Sequence, residues 1–304
     1  MSRVDEALRA LEGVPRDDRI PVVTGAPRPA ERFKLSQYSR EGPPAPDRAF
    51  RPKSRDLESP TPLALDRRTP LARKDILLEG RLVTSATRHH ASLEQYRRLA
   101  ATLHDVQIER GLKTVMVTSS VPREGKTLTA INLALTLSES YGRRVLLIDA
   151  DLRWPSVHEV LGIPNEIGLC EALRDGRRDL SLAQVWPRLS VLPSGRPGSR
   201  PLAGLTSERM GTLLEECASQ FDWVLLDTPP VGLLPDGQLL ARLTKAVVFV
   251  IAARSTPAAV VERALAELAP ECLVGAVLNR VEKRLIPDVS YYSADGDSAT
   301  SATS

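Results

Sequence analysis

The segment VMVTSSVPREGKTLTAINLALTL, residues 115–137, joins an apolar run to a helical pattern through a short turn. An extended run followed by a turn and a helix predicts a strand, with the helix beginning at Gly125. Gly125, Lys126 and Thr127 match the end of the motif G-x-x-x-x-G-K-[ST], whose backbone N–H groups cradle phosphate oxygens. Ser120 stands where that motif has its first glycine, so the match is partial.

Two further apolar runs end in aspartate. VLLIDADLRWP contains Asp149 and Asp151, and WVLLDTPP contains Asp227. Alternation along an extended chain would direct Asp149 and Asp151 to the same side. Because parallel strands open their C-terminal ends onto one ligand crevice, the three carboxylates are expected to meet the Gly125–Thr127 turn there. Three such segments in one order make a chance Gly-Lys-Thr triplet a poor explanation, and they predict a Mg-nucleotide site.

The spacing of the apolar runs predicts the fold class. Helical segments separate the runs, which is typical of parallel strands with crossover helices, and runs that are apolar throughout indicate a sheet buried on both faces. We therefore expect an α/β protein, a three-layer α/β/α P-loop NTPase with a mostly parallel sheet. The apolar runs are 114–118, 145–148, 191–192, 224–226, 246–251 and 273–278.

The chain is predicted to divide into four parts. Residues 1–12 have the spacing of a short amphipathic helix, and residues 13–85 form a Pro- and Arg-rich arm with too little apolar surface to offset ordering. The P-loop domain is expected over residues 86–285. A small, polar and flexible tail follows at 286–304 and contains Tyr291 and Tyr292.

Composition excludes several classes of protein. The net charge is +3, and its excess lies in the first 75 residues, where both signs are mixed and no dense basic cluster occurs. Nucleic-acid binding is therefore not expected. The longest strongly apolar run, Ala246–Ala253, is far short of the roughly 20 residues that a membrane-spanning helix needs, and three scattered cysteines indicate reduced thiols. These features favour a cytoplasmic chain.

The motifs resemble those of the bacterial tyrosine kinases of capsule and exopolysaccharide synthesis, which are related to the MinD and ParA type of P-loop ATPases. That family pairs S-x-x-P-G-E-G-K-[ST] with D-x-D-x-R and D-[ST]-P-P, which correspond here to Ser119–Thr127, Asp149–Arg153 and Asp227–Pro230. The similarity extends from Ser92 to Asn279. It implies a protein-tyrosine autokinase that uses ATP and Mg²⁺.

The resemblance also implies residue roles. Lys126 would neutralise charge on the γ-phosphate, and Asp149 would accept the proton of a tyrosine hydroxyl. Thr127 and Asp227 would hold Mg²⁺ directly or through water, with Asp151 behind them in the same metal site. Tyr291 and Tyr292 would be the phosphate acceptors. The residues implied in nucleotide binding are Ser119, Ser120, Val121, Pro122, Arg123, Glu124, Gly125, Lys126, Thr127, Leu128, Arg153 and Asn279.

Three departures from the family pattern keep a second hypothesis open. Arg123 replaces a glycine, which would cost roughly 1–2 kcal/mol if the backbone there requires a positive φ. Ala100 stands where the family's assembly helix has a second arginine, and the tail has only two tyrosines. The alternative is a regulatory ATPase or nucleotide switch without kinase activity. A lysine typical of the MinD and ParA relatives is absent at Val121, which disfavours a role in partitioning.

Partners follow from the same resemblance. Because no membrane helix is visible, we expect a separate membrane-bound polysaccharide co-polymerase or activator protein, with peripheral attachment at the inner face of the plasma membrane as one possibility. Homo-oligomerisation is left open.

Overall fold

The computed structural model describes residues 65–68, 82–83, 90–175, 180–196, 204–205, 207–233 and 235–281. The helix predicted at residues 1–12 and the tail from residue 286 lie outside these ranges, as do Tyr291 and Tyr292. Two structural elements fall inside the predicted arm, the strand Leu65–Arg68 and the buried pair Leu82 and Val83. The division of the chain into four parts stays a prediction.

The strands and helices alternate over most of the chain. The strands are β1 Leu65–Arg68, β2 Thr114–Ser119, β3 Val145–Asp149, β4 Leu180–Trp186, β5 Leu189–Leu192, β6 Trp223–Asp227, β7 Val247–Ala252 and β8 Leu273–Asn279. The helices are α1 His90–Arg110, α2 Lys126–Glu139, α3 Val157–Leu161, α4 Leu169–Asp175, α5 Glu208–Gln220, α6 Pro235–Thr244 and α7 Ala258–Leu265, with a 3₁₀ helix at Pro270–Cys272.

All eight strands form one sheet in the order β1-β4-β5-β3-β6-β2-β7-β8. Every neighbouring pair is parallel except β4 and β5, which confirms the predicted mostly parallel sheet. Helices cover both faces, so successive strand residues are all buried: Val115 and Val117 of β2 enter one hydrophobic cluster, and Met116 between them enters the other. Burial on both faces explains why the apolar runs do not alternate with polar residues.

The strand β4 was not predicted from the sequence. Only the run at residues 191–192 was identified, which lies within β5, whereas β4 has the sequence LSLAQVW and alternates between buried and half-buried positions. A two-residue turn at Pro187 and Arg188 joins the two strands. β1 pairs in parallel with β4, so the hairpin extends the sheet beyond the central parallel strands.

Helix α1 packs against α2 through small and aliphatic side chains. Ala100 and Leu103 are buried in the same hydrophobic cluster as Ala130, Ala134 and Leu137 of α2, which gives Ala100 a packing role. None of the helices in the described part of the chain combines the length and the apolar character that crossing a membrane requires.

Candidate nucleotide-binding site

The predicted site residues meet at the C-terminal edge of the central strands. β6 lies between β3 and β2, and the pairing places Asp227 opposite both Asp149 and Val117. The P-loop, residues 119–127, leaves β2 two residues after Val117. The register therefore brings the two aspartates and the P-loop to one edge of the sheet, as expected for the ligand crevice of such a fold.

Residue 125 must be glycine for two reasons: its backbone conformation disfavours other residues, and a neighbouring side chain leaves no room for a Cβ atom. It has φ 99° and caps α2, which begins one residue later than predicted, at Lys126. A Cβ atom at Gly125 would lie 2.0 Å from Nδ2 of Asn279 on β8. Asn279 donates a hydrogen bond to the backbone oxygen of Glu124 at 2.8 Å, so this predicted nucleotide contact lies against the P-loop itself.

Arg123 has the conformation for which the sequence predicted strain. Its φ is 67°, in the left-handed region, and its side chain is exposed. The backbone oxygen of Arg123 accepts a hydrogen bond from the Arg280 guanidinium. Arg280 itself has φ 62°, so two arginines with left-handed backbone conformations contact each other at the P-loop.

Arg123→Gly is expected to raise the free energy of unfolding by about 0.5–1 kcal/mol, because relief of the Cβ clash exceeds the entropy that glycine loses on folding. Urea denaturation of the ligand-free protein measures this difference. Arg123→Ala is the matched control, since it removes the same side chain but keeps the Cβ atom, and it should show no such gain. Equal stability of the glycine and alanine variants would contradict the assignment of strain.

Lys126 and Asp151 form an ion pair inside the site. Lys126 Nζ lies 3.1 Å from Asp151 Oδ2, and Asp151 is buried. The other carboxylate oxygen, Oδ1, accepts the backbone N–H of Trp154 at 3.2 Å. Asp151 therefore holds the lysine at the start of α2, where a bound phosphate would compete for its charge.

Asp149 and Asp227 are both 0% exposed, and their carboxylates are poorly satisfied. Asp149 Oδ2 accepts backbone N–H groups of Ser156 and Val157, each at 3.1 Å. Among the described residues, Oδ1 of Asp149 and both carboxylate oxygens of Asp227 accept no hydrogen bond of ordinary geometry. Three buried acceptor oxygens without donors are the kind of group that a bound cation satisfies.

Burial and neighbouring negative charges raise the pKa of both carboxyls. Burial, followed by the charge of Asp227, raises the pKa of Asp149 well above its ordinary value. Burial raises the pKa of Asp227 to about 6, although the Lys126 charge and the nearby Thr127 hydroxyl oppose the shift. Both carboxyls are therefore harder to ionise than an exposed aspartate, and a bound cation would favour the ionised form of each.

A hard cation fits this group of oxygens. Mg²⁺ prefers carboxylate, hydroxyl and phosphate oxygens, and the residues that offer them here are Thr127 at the start of α2 and Asp227 at the end of β6. Asp151 is occupied by Lys126 and lies behind them. Of the predicted metal residues, Thr127 and Asp227 are in this group, whereas Asp151 is paired with Lys126, and the three metal roles stay predictions.

Ser156 was missed by the sequence analysis. Its hydroxyl lies 3.0 Å from Oγ1 of Thr127, while its N–H bonds to Asp149, so it links the P-loop to the loop after β3. The segment Ser156–Glu159 has the form S-x-x-E, which marks the start of a helix. That signal predicts a cap for α3, but the contact with Thr127 depends on how two distant segments pack.

Arg153 pairs with a residue that the sequence did not single out. Its Nε lies 2.9 Å from Oδ2 of Asp236, a buried residue in the first turn of α6. The bond raises the pKa of Arg153. Arg153 therefore links the loop after β3 to α6, and its part in nucleotide binding stays a prediction.

Comparison with known proteins identifies the family of the chain. Residues 115–290, more than half of the chain, match the model of the CobQ/CobB/MinD/ParA nucleotide binding domain. The tyrosine-protein kinase YwqD of Bacillus subtilis is 35% identical over 204 residues, which cover 66% of this chain and 85% of that protein. The tyrosine-protein kinase etk of Escherichia coli is 30% identical over 246 residues, which cover 75% of this chain but 33% of that longer protein.

Solved structures show the same relationship. The kinase domain of Escherichia coli tyrosine kinase ETK superposes with a TM-score of 0.59 at 25% identity, covering 80% of this chain and 94% of that one. The BceF tyrosine kinase domain superposes with a TM-score of 0.55 at 27% identity, covering 62% of this chain and 76% of that one. The chain therefore belongs to the CobQ/CobB/MinD/ParA nucleotide-binding family, within its group of bacterial tyrosine-protein kinases.

Proposed function

We propose that this protein is an ATP-dependent protein-tyrosine autokinase that transfers the γ-phosphate of Mg-ATP to Tyr291 or Tyr292. The observation that carries the proposal is the set of buried, unsatisfied oxygens of Asp149 and Asp227 beside Lys126 and Thr127. A site that only bound phosphate would not need two buried carboxylates. A site that also holds a cation and accepts a proton would need both.

Different residues of the site have different roles in an in-line transfer of the γ-phosphate. The tyrosine oxygen attacks the γ-phosphorus, the bond from that phosphorus to the β–γ bridging oxygen breaks, and ADP leaves. Lys126 moves from Asp151 to the phosphate and offsets its negative charge. Thr127 and Asp227 would hold Mg²⁺, which would offset negative charge on the phosphates.

Asp149 accepts the proton of the tyrosine hydroxyl. Its Oδ2 atom is held by two backbone N–H groups, which leaves Oδ1 as the atom for the proton. A carboxylate of ordinary pKa is a weak base towards a phenol of pKa about 10. Positioning of the two groups therefore supplies most of the barrier reduction.

The wider setting follows from the family. We propose a role in the regulation of capsule or exopolysaccharide synthesis or export, in the cytoplasm. A separate membrane-bound polysaccharide co-polymerase or activator would bring the protein to the inner face of the plasma membrane. Assembly into a homo-oligomer is part of the same proposal.

The intact mass of the purified protein before and after incubation with Mg-ATP tests the transfer. We expect increments of one phosphate in the wild-type protein, and their loss when Tyr291 and Tyr292 are both replaced by phenylalanine. The single variants, Tyr291→Phe and Tyr292→Phe, show which of the two accepts phosphate. Unchanged increments in the double variant would contradict acceptance by the tail. ATP hydrolysis with no phosphate increment would favour the regulatory switch over the kinase.

A further inference from the structure

We propose that Glu124 is a positioning residue that sets the affinity of the site for nucleotide phosphates, and that Thr256 shares this role. The inference rests on the proposed nucleotide site and deepens it. Glu124 immediately precedes the Gly-Lys-Thr triplet, yet its side chain is not directed to the ligand. It is 1% exposed, whereas its neighbour Arg123 is exposed.

The Glu124 carboxylate binds three donors from two parts of the chain. Oε2 accepts the backbone N–H of Val121 at 2.8 Å, within the P-loop. Oε1 accepts the backbone N–H of Ala252 at 3.1 Å and the hydroxyl of Thr256 at 2.5 Å. The side chain thus ties the P-loop to the end of β7 and to the loop that precedes α7.

The backbone of Glu124 is held from a third direction. Its carbonyl oxygen accepts the Asn279 side-chain amide at the end of β8. The ends of three adjacent strands, β2, β7 and β8, therefore converge on one residue. The first N–H groups of α2, those of Lys126, Thr127 and Leu128, have no acceptor within the helix and are left for phosphate oxygens.

A carboxylate so near a phosphate site would repel the ligand if it turned outwards. The inward hydrogen bonds of Glu124 prevent this and fix the loop before the nucleotide arrives. Loss of one of these bonds removes no phosphate contact but leaves the loop to be ordered on binding. Affinity then falls because the ordering cost is added to the binding free energy.

Two threonines provide a matched test. Thr256 and Thr244 are both buried, and each hydroxyl donates within the protein: Thr256 to Glu124, and Thr244 to the carbonyl of Leu240 in α6. Thr244 precedes β7, at the opposite end of that strand from Ala252. Thr256→Val and Thr244→Val thus remove the same hydroxyl group beyond opposite ends of β7.

Titration calorimetry with Mg-ADP measures the effect at a temperature where every variant is folded. We expect Thr256→Val to weaken binding about fivefold to tenfold, Glu124→Gln to weaken it by more, and Thr244→Val to change it less than about twofold. Thr256→Ser keeps the hydroxyl and should restore most of the affinity. Circular dichroism melts should show similar losses of stability for the two valine variants.

Other results would overturn the inference. Wild-type affinity in folded Thr256→Val would show that the hydroxyl does not position the loop. Equal weakening in both valine variants would show that affinity only follows stability. Failure of the wild-type protein to bind Mg-ADP would overturn the nucleotide site and this inference together, whereas binding without phosphotyrosine formation would contradict only the kinase proposal.

Discussion

Replacing Lys126 with alanine is expected to reduce the rate of phosphate incorporation by at least about a hundredfold, because one preorganised positive charge is lost from the γ-phosphate. The structure sharpens this expectation. Lys126 is paired with buried Asp151 at 3.1 Å, so the variant also leaves a negative charge beside the phosphates with no counter-charge from residue 126. Repulsion from Asp151 adds to the loss.

The measurement is the time course of intact mass with Mg-ATP for the variant and the wild-type protein. Lys113→Ala is the control, because Lys113 donates to the carbonyl of Ala218 at 2.9 Å and precedes β2, at the end of the strand opposite the P-loop. The control should retain the wild-type rate. Phosphorylation of Lys126→Ala at a rate near that of the wild-type protein would contradict the proposed contact between Lys126 and the γ-phosphate.

Asp227→Asn is expected to abolish Mg²⁺-dependent activity and to stabilise the metal-free protein. The activity falls because the carboxylate charge that holds the cation is removed. Stability rises because Asp227 is fully buried and neither carboxylate oxygen accepts a hydrogen bond of ordinary geometry among the described residues, and a neutral amide costs less to bury than a carboxylate. An increase in stability together with a loss of activity is expected at few positions outside a cation site.

The pH dependence gives the sign of the stability change. The pKa of Asp227 rises from 3.8 in the unfolded chain to about 6 in the folded protein, so folding takes up a proton between these values. The folded state is therefore destabilised by Asp227 above pH 6, by roughly 3 kcal/mol, and is not destabilised below about pH 4. The free energy of unfolding of Asp227→Asn should thus exceed that of the wild-type protein most at pH 7 and least at pH 4.

Urea denaturation in the presence of a chelator, at pH 4, 5, 6 and 7, measures this difference. Asp222→Asn is a useful control, because Asp222 is bonded to Arg144 and its pKa is lowered. Asp222→Asn should lower the free energy of unfolding, and by more as the pH rises. This direction is opposite to the one expected for Asp227→Asn. A metal-free Asp227→Asn protein that is less stable than wild type at pH 7 would show that the carboxylate has a partner. Mg-ADP should stabilise the wild-type protein and not Asp227→Asn.

Much of the site could be predicted from the sequence because its chemistry lies in short motifs at strand ends. Lys126 and Thr127 follow a strand and begin a helix, and each of the three aspartates follows an apolar run. The rule that parallel strands open their C-terminal ends onto one crevice then places them together without a structure. The roles inferred for these residues remain proposals.

The contacts that hold the site could not be predicted in this way. Arg153 and Asp236 are 83 residues apart, and Glu124 and Thr256 are 132 residues apart. Nothing in either local sequence indicates a partner at that distance. The strand β4 was missed for a related reason, since its half-buried pattern has meaning only beside β5 and β1.

The sequence by itself determined the fold class, six of the eight strands that the structure describes and the phosphate-binding turn, because periodicity and short motifs depend on residues close together in the chain. Only the tertiary structure decided that Arg153 pairs with Asp236, that Glu124 is turned inwards, and that Asp149 and Asp227 are left with unsatisfied oxygens. Hydrogen bonding and burial are properties of neighbours in space, and folding selects these neighbours from distant segments.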